Sequence, residues 1–266
     1  MRFTNFHTHT TFSDGQGTPR ENIEAAIAKK MHAVGFSDHT YTACDESYCM
    51  MEKDYSAYAK EILSLKEEYC GKINVLLGAE KDYYSDIPKI PLDYFIASVH
   101  YIVNNGKCYP IDYSLEWQQE CVSELFGGDK IAFAERYFSM VYEHVRATNP
   151  TFIGHYDVIS KFGFMPEDDE RYIEIANYYL QKCLKICKYV EFNTGGIARG
   201  VRTFPYPHRK MLKCVLENGG EVLLSSDSHK TENLDFYFSE AVGGLKKCGF
   251  KNIVTLTENG FVSVPI

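Results

Sequence analysis

Six of the nine histidines directly follow short apolar runs that predict β-strands, and two carboxylates occupy the same kind of position. The histidines are His7, His9, His39, His100, His155 and His229, and the carboxylates are Glu80 and Asp227. Neutral imidazole and carboxylate are the ligands that zinc, iron and manganese accept in proteins. This set therefore predicts a site that binds several divalent metal ions.

The spacing within two of the motifs supports shared ligation. His7 and His9 are separated by one residue, as are Asp227 and His229, and this spacing puts both side chains on the same side of an extended strand. Asp14 lies in Ser13-Asp14-Gly15, a sequence that suits a turn. Its position five residues after His9 also allows it to return to the same site, and we expect it to be a ligand.

The elements that must position these residues alternate along the chain. Amphipathic helical patterns separate eight apolar runs, at 3–6, 33–36, 73–77, 94–99, 151–153, 189–192, 221–224 and 252–256. Such alternation predicts an α/β fold with parallel strands and helical crossovers. In a barrel of this kind the carboxyl ends of all strands meet at one mouth. We predict a single domain over residues 1–266, with an open doubly wound sheet as the second choice.

Helix boundaries are marked at three places. Thr18 and Glu21 predict a capping box at the start of one helix. Pro166 and the acidic residues that follow it predict the start of another, which extends to Lys188. Gly219-Gly220 predicts the end of a third. The segment 102–116 lacks a clear period and is expected to be irregular.

Composition excludes several classes of protein. A net charge of -8 and a pI near 5.6 argue against a nucleic-acid partner. Nine cysteines, an odd number with no C-x-x-C pair, predict free thiols without disulfides and a reducing cytoplasmic location. The remaining histidines, His32, His144 and His208, lie in helical patterns and are expected to be surface or packing residues. No apolar run is long enough to span a membrane, so no membrane partner is expected.

As an ordered set, the motifs resemble the PHP family, the polymerase and histidinol phosphatase metal-dependent hydrolases. The matching stretches are His7-Thr8-His9-Thr10, Ser13-Asp14-Gly15, Ser37-Asp38-His39, Glu80, Ser98-Val99-His100, Gly154-His155 and Ser226-Asp227-Ser228-His229. The resemblance implies a distorted seven-stranded (β/α)7 TIM-like barrel and two to three divalent ions, Zn, Fe or Mn. It implies one ion on His7, His9, Glu80 and Asp227, a second on Glu80, His100 and His155, and a third on Asp14, His39 and His229.

Within the family, the runs around His100 and Arg199 resemble the histidinol-phosphate phosphatase branch. This resemblance implies hydrolysis of L-histidinol phosphate, with the metals supplying a bridging hydroxide near neutral pH. Glu80 would bridge two metals. Arg199, and less strongly Arg202 and Lys161, would bind the phosphate, since cations stabilise phosphoryl charge.

Other roles and functions remain open at this point. Asp38 is a candidate catalytic acid, although no feature of the sequence selects it, and Asp82, Tyr83 and Tyr101 are candidates to line the outer pocket. A small phosphate ester is the expected partner, and the oligomeric state is undetermined. The alternatives are a PHP phosphatase for phosphotyrosyl proteins or nucleotides, a metal-dependent amidohydrolase, and a non-catalytic PHP domain of a polymerase. No strand-end lysine occurs in the motifs, which disfavours the amidohydrolase.

Overall fold

The computed structural model describes residues 3–266, and it contains twelve strands and eight α-helices within that range. The strands are β1 (Thr4–Asn5), β2 (Ala33–Phe36), β3 (Asn74–Leu77), β4 (Glu80–Asp82), β5 (Ile96–Ser98), β6 (Tyr101–Asn104), β7 (Lys107–Pro110), β8 (Phe152–Ile153), β9 (Tyr189–Asn193), β10 (Glu221–Ser225), β11 (Asn252–Thr257) and β12 (Gly260–Pro265). The helices are α1 (Pro19–Ala28), α2 (Tyr55–Glu68), α3 (Leu115–Phe126), α4 (Lys130–Thr148), α5 (Glu170–Leu184), α6 (Gly195–Ala198), α7 (Arg209–Glu217) and α8 (Phe238–Lys247). All eight apolar runs of the sequence form strands, as predicted.

Parallel pairing organises eight of these strands into two sheets. The first sheet has the order β1-β2-β3 and the second the order β10-β9-β8-β5-β4. Every pair within them is parallel. Two isolated parallel bridges, Thr8 with Ser228 and His39 with Glu80, lie between the two sheets. The α/β prediction with parallel strands is therefore confirmed, whereas the hydrogen bonds define two sheets and not one continuous barrel.

Local capping signals set several helix boundaries. Thr18 and Glu21 form the predicted capping box of α1. Helix α5 begins at Glu170, four residues after the predicted start, and ends at Leu184 instead of Lys188. The reason for the later start is that the Asp169 side chain accepts hydrogen bonds from the backbone N–H groups of Arg171 and Tyr172.

The segment expected to be irregular is largely an antiparallel hairpin. Strands β6 and β7 pair from Tyr101 with Pro110 to Asn104 with Lys107. Asn105 and Gly106 form the turn with φ of 50° and 80°, the left-handed conformation that a two-residue hairpin requires. Four residues separate the hairpin from helix α3, which begins at Leu115, so the expectation of a loop over 102–116 was wrong for most of its length. The Asn-Gly pair was the signal for this hairpin.

A disulfide joins this hairpin to the loop that follows β2. Cys44 and Cys108 are bonded with their Cα atoms 5.6 Å apart, across a sequence separation of 64 residues. The expectation of free thiols only was therefore wrong. The other seven cysteines, all within residues 3–266, are free. Sequence spacing gave no indication of the bond, because it depends on two distant loops meeting in space.

Apolar side chains from the strands fill the space between the two sheets. Phe6, Ala33, Leu76, Ile96, Phe152 and Leu223 belong to one buried cluster, which also contains Val254 and Leu256 of β11. A larger cluster packs α4, α5 and α7 onto the outer face of β8 and β9. The helices described, between residues 3 and 266, include none with the length and apolar character needed to cross a membrane.

Candidate metal centre

All nine predicted ligands converge at the carboxyl ends of the parallel strands. Their donor atoms form four overlapping groups, each with its atoms within 4.8 Å of one another. The groups are His7, Glu80 and His155; His7, His9 and Asp227; His39, Glu80 and His100; and His9, Asp14, His39 and His229. Because parallel strands all end on the same side, residues from 7 to 229 meet in one place.

Glu80 lies at the centre of this cluster. It is the first residue of β4 and is 1% exposed. One carboxylate oxygen, Oε2, lies 3.0 Å from His39 Nδ1 and 3.1 Å from His7 Nε2. The other oxygen, Oε1, lies 3.1 Å from His155 Nε2 and 3.4 Å from His100 Nε2. This geometry allows each oxygen to serve a different ion.

Buried polar atoms without hydrogen-bond partners show that the cluster fits metal ions. His7 Nε2, His9 Nε2 and Glu80 Oε2 are all inaccessible to solvent and lack a hydrogen-bond partner within residues 3–266. Each such atom typically costs about 1–3 kcal/mol when it is left unpaired. Divalent cations would satisfy these atoms, and imidazole with carboxylate is the donor set that zinc, iron and manganese prefer.

The charges of Glu80 and His39 suit ligation. Burial raises the pKa of Glu80, but the neighbouring His7, His39 and His100 lower it by more than burial raises it. The net pKa of Glu80 therefore lies well below its usual value. Burial lowers the pKa of His39 to about 3, even though Glu80 opposes that shift. Glu80 is therefore anionic and His39 is neutral at physiological pH, which are the forms that bind a metal. Burial lowers the pKa of His7 and His100, but nearby carboxylates raise it by more, so each of these two would have to lose a proton to bind a metal.

Two further carboxylates hold the ligand histidines from behind. Glu191 of β9 is fully buried and accepts a hydrogen bond of 2.8 Å from His7 Nδ1. Asp82 of β4 accepts one of 2.8 Å from the backbone N–H of His100. Glu191 was not among the site residues predicted from the sequence. A charged residue inside the apolar run at 189–192 was the available signal, since an isolated carboxylate is almost never fully buried.

A cavity of about 290 Å³ opens beside the cluster and is lined by several of the ligands, including Glu80, His155 and Asp227. Arg199 and Lys161 also line it. The Arg199 guanidinium donates to Asp227 Oδ2 at 3.0 Å and to His229 Nδ1 at 3.0 Å. Lys161 Nζ donates to the backbone oxygen of Asp112 at 2.6 Å. The cavity therefore combines predicted metal ligands with two cations.

The structure places two other predicted residues away from this cavity. Arg202 donates to Ser160 Oγ at 2.7 Å, pairs with Glu167 at 2.8 Å, and lines a neighbouring cavity. Asp38 is fully buried, and its carboxylate accepts hydrogen bonds from Thr10 N at 2.7 Å and Ser13 Oγ at 2.6 Å. Asp38 thus fixes the loop after His9 and does not face the cavity.

The remaining candidates divide between the mouth of the cavity and the body of the fold. Tyr101 lines the cavity, as expected, whereas Asp82 lies buried behind His100. His32 is exposed, and His144 is buried with its Nε2 3.2 Å from Lys81 Nζ. His208 caps α7. These three histidines lie outside the metal cluster, in agreement with the prediction.

Comparisons with known proteins agree with this arrangement. The "Probable histidinol-phosphatase" of Schizosaccharomyces pombe is 28% identical over 263 residues, which cover 90% of this chain and 83% of the relative. The protein of the same name from Deinococcus radiodurans is 26% identical over 258 residues, covering 93% of this chain and 94% of the relative.

A solved structure shows the same fold over almost the whole chain. The histidinol phosphate phosphatase of Lactococcus lactis subsp. lactis, crystallised with zinc, L-histidinol and phosphate, superposes with a TM-score of 0.75 at 22% identity. The superposition covers 98% of this chain and 99% of the other. The family model of the PHP domain matches residues 5–195, well over half of the sequence. The chain therefore belongs to the PHP family.

Proposed function

We propose that this protein is a metal-dependent phosphomonoesterase that hydrolyses L-histidinol phosphate to L-histidinol and phosphate in histidine biosynthesis. The observation that carries the proposal is the convergence of nine metal-binding groups beside a cavity that also contains Arg199 and Lys161. The names of the relatives from S. pombe and D. radiodurans support the same substrate.

Two to three divalent ions would occupy the four groups of the cluster. Zinc, which the L. lactis structure contains, is one candidate, and iron and manganese accept the same ligands. Glu80 belongs to two of the groups and is the proposed bridging ligand. When bound, such ions supply charge stabilisation and a nucleophile at neutral pH.

Arg199 and Lys161 would bind the phosphoryl oxygens at the cavity wall. About a third of the Arg199 side chain is exposed, so its guanidinium can reach an incoming anion. A planar guanidinium binds phosphate in a bidentate manner, and an ammonium binds as a point charge. Phosphate binding by Arg202 stays a prediction that its contacts with Ser160 and Glu167 do not favour. Proton donation by the buried Asp38 likewise stays a prediction.

The outer part of the cavity favours a cationic alcohol over a nucleotide. Asp45 and Asp112 line it together with Tyr48 and Tyr101. Burial raises the pKa of Asp112, but Lys161 and the nearby histidines oppose it, so the net pKa lies below its usual value and favours the anionic form. Carboxylates at this position attract the ammonium and imidazole of histidinol and repel additional phosphates.

Lys81 bears on the amidohydrolase alternative, because it lies in β4 between Glu80 and Asp82. Its Nζ donates to the Asp82 backbone oxygen at 3.0 Å and lies beside His144. Successive side chains of a strand point to opposite faces. Lys81 therefore lies away from the cluster that Glu80 enters and is not placed to bridge metals there, which supports the phosphatase.

A panel of phosphate esters tests the proposal. We expect the purified, metal-loaded protein to prefer histidinol phosphate over sugar phosphates and nucleotides by at least about tenfold in kcat/KM. The gene should also restore growth without histidine in a bacterium that lacks its own histidinol-phosphate phosphatase. Failure of both tests, with good activity on another phosphate ester or a phosphotyrosyl protein, would overturn the substrate assignment.

We further propose that the two parallel sheets form one distorted seven-stranded barrel within a single domain over residues 1–266. The parallel bridges Thr8–Ser228 and His39–Glu80 connect the two sheets at both of their junctions and so support closure. The eight parallel strands make seven barrel positions when the consecutive strands β3 and β4 are counted as one. The buried cluster between the sheets resembles the filled interior of such a barrel.

A biosynthetic role favours a location in the cytoplasm, although the Cys44–Cys108 disulfide is unusual for that compartment.

A further inference from the structure

The Glu191 carboxylate accepts four hydrogen bonds, and their donors come from four different positions of the fold. His7 Nδ1 (2.8 Å) and Ser225 Oγ (2.5 Å) bond to Oε2. Asn193 Nδ2 (2.9 Å) and the backbone N–H of His155 bond to Oε1. Glu191 thus links the ligand histidine after β1 to the one after β8, at a depth where solvent has no access.

We propose that Glu191 is a positioning residue that fixes the tautomer of His7, an inference that rests on the proposed metal centre. Because Glu191 holds the proton on Nδ1, the lone pair of His7 is on Nε2. That atom lies 3.1 Å from Glu80 Oε2 and 3.6 Å from Asp227 Oδ1. A histidine ligand commonly depends on such an acceptor behind its ring.

The two sides of the Glu191 carboxylate differ in how freely their donors can adapt. The His155 donor is a backbone N–H and cannot reverse. Asn193 is also fixed, because its Oδ1 accepts from Gly195 N at 2.7 Å, which orients the amide. On the other side, the Ser225 hydroxyl can rotate and the imidazole of His7 can exchange tautomers.

This asymmetry predicts the outcome of Glu191→Gln. The amide oxygen stays beside His155 and Asn193, since these donors cannot change. The new NH2 group then faces His7 Nδ1, which must become an acceptor. The proton of His7 moves to Nε2, the atom that faces Glu80 and Asp227, and it blocks ligation there. The side chain keeps its size, while one acceptor oxygen becomes a donor NH2 group and the negative charge is lost.

Two measurements on the zinc-loaded protein test the inference. Long-range ¹H–¹⁵N correlation spectra of wild type should show the His7 proton on Nδ1. Glu191→Gln should weaken binding of the ions that use His7 by about 10- to 100-fold in chelator competition. The group made by His9, Asp14, His39 and His229 does not include His7, so it should retain its ion.

Ser225→Ala is the matched control, because it removes one donor to the same Oε2 and leaves the His7 bond intact. We expect its zinc affinity to stay within about threefold of wild type. A His7 proton on Nε2 in wild type would overturn the inference even if Glu191→Gln failed to fold. A folded Glu191→Gln protein that binds zinc as tightly as wild type would also overturn the inference. A protein that binds zinc with the expected tautomer but does not hydrolyse histidinol phosphate would refute only the proposed substrate.

Discussion

Arg199 and Arg202 are three residues apart, yet the structure places their side chains in different surroundings. Arg199 lines the cavity and contacts Asp227 and His229, whereas Arg202 is held by Ser160 and Glu167 outside it. Replacing each by Met removes the charge and keeps most of the side-chain volume. The pair of variants therefore tests which arginine serves the phosphate, with each variant as the control for the other.

The magnitude for Arg199→Met follows from its environment. Loss of one partner of a buried charge pair costs about 2–5 kcal/mol. At about 1.36 kcal/mol per tenfold, this range corresponds to roughly 30- to 5000-fold in kcat/KM. Because 33% of the Arg199 side chain is exposed, solvent screens the interaction and we expect a value near the lower limit. Metal content should not fall, since Arg199 donates to Asp227 but is not itself a ligand.

Arg202→Met should affect stability instead. The change leaves Glu167 without its cation and removes two hydrogen bonds to Ser160, so we expect a loss of about 1–3 kcal/mol in the free energy of unfolding. Below the unfolding transition its kcat/KM should stay within about threefold of wild type.

The assay combines kcat/KM on histidinol phosphate, elemental analysis and urea unfolding of both variants. An Arg199→Met enzyme within about threefold of wild type would refute phosphate binding by Arg199. A fall of thirtyfold or more in the kcat/KM of Arg202→Met, at full stability and metal content, would show that Arg202 also serves the substrate.

Three further predictions concern the metals and the disulfide. Glu80→Gln keeps the shape of the side chain but removes the charge shared by two ligand groups. Elemental analysis should therefore show at least one equivalent less metal, and activity should fall. Full activity at unchanged metal content would contradict the bridging role. Protein purified without chelator should contain more than two equivalents of Zn, Fe or Mn in total, and a value near one that added metal does not raise would exclude three ions. In the chain-entropy model, the Cys44–Cys108 bond across 64 residues contributes at most about 4 kcal/mol, so Cys44→Ser/Cys108→Ser should lower Tm by up to roughly 8 °C. Cys70→Ser, at an exposed free thiol, should leave Tm unchanged. Reaction of all nine cysteines in unreduced, denatured protein would show that the bond is absent.

Much of the candidate metal centre could be predicted because its proposed ligands follow local signals. Each of the histidines in the cluster comes after a short apolar run, and strand ends of a parallel sheet meet on one side. The capping box at Thr18 was equally local and is confirmed. The hairpin over β6 and β7 was missed even though Asn105-Gly106 is a local turn signal, so that error was one of interpretation.

The sequence by itself determined the chemical identity of the cluster and the strands that position it, because residue type and hydrophobic period are local properties. Only the tertiary structure decided which groups stand behind the ligands. Glu191 meets His7 across 184 residues, and Cys44 meets Cys108 across 64. It also decided that Arg199 and Arg202 face different cavities. These contacts depend on how the two sheets and their loops pack, and no short-range pattern in the chain encodes that packing.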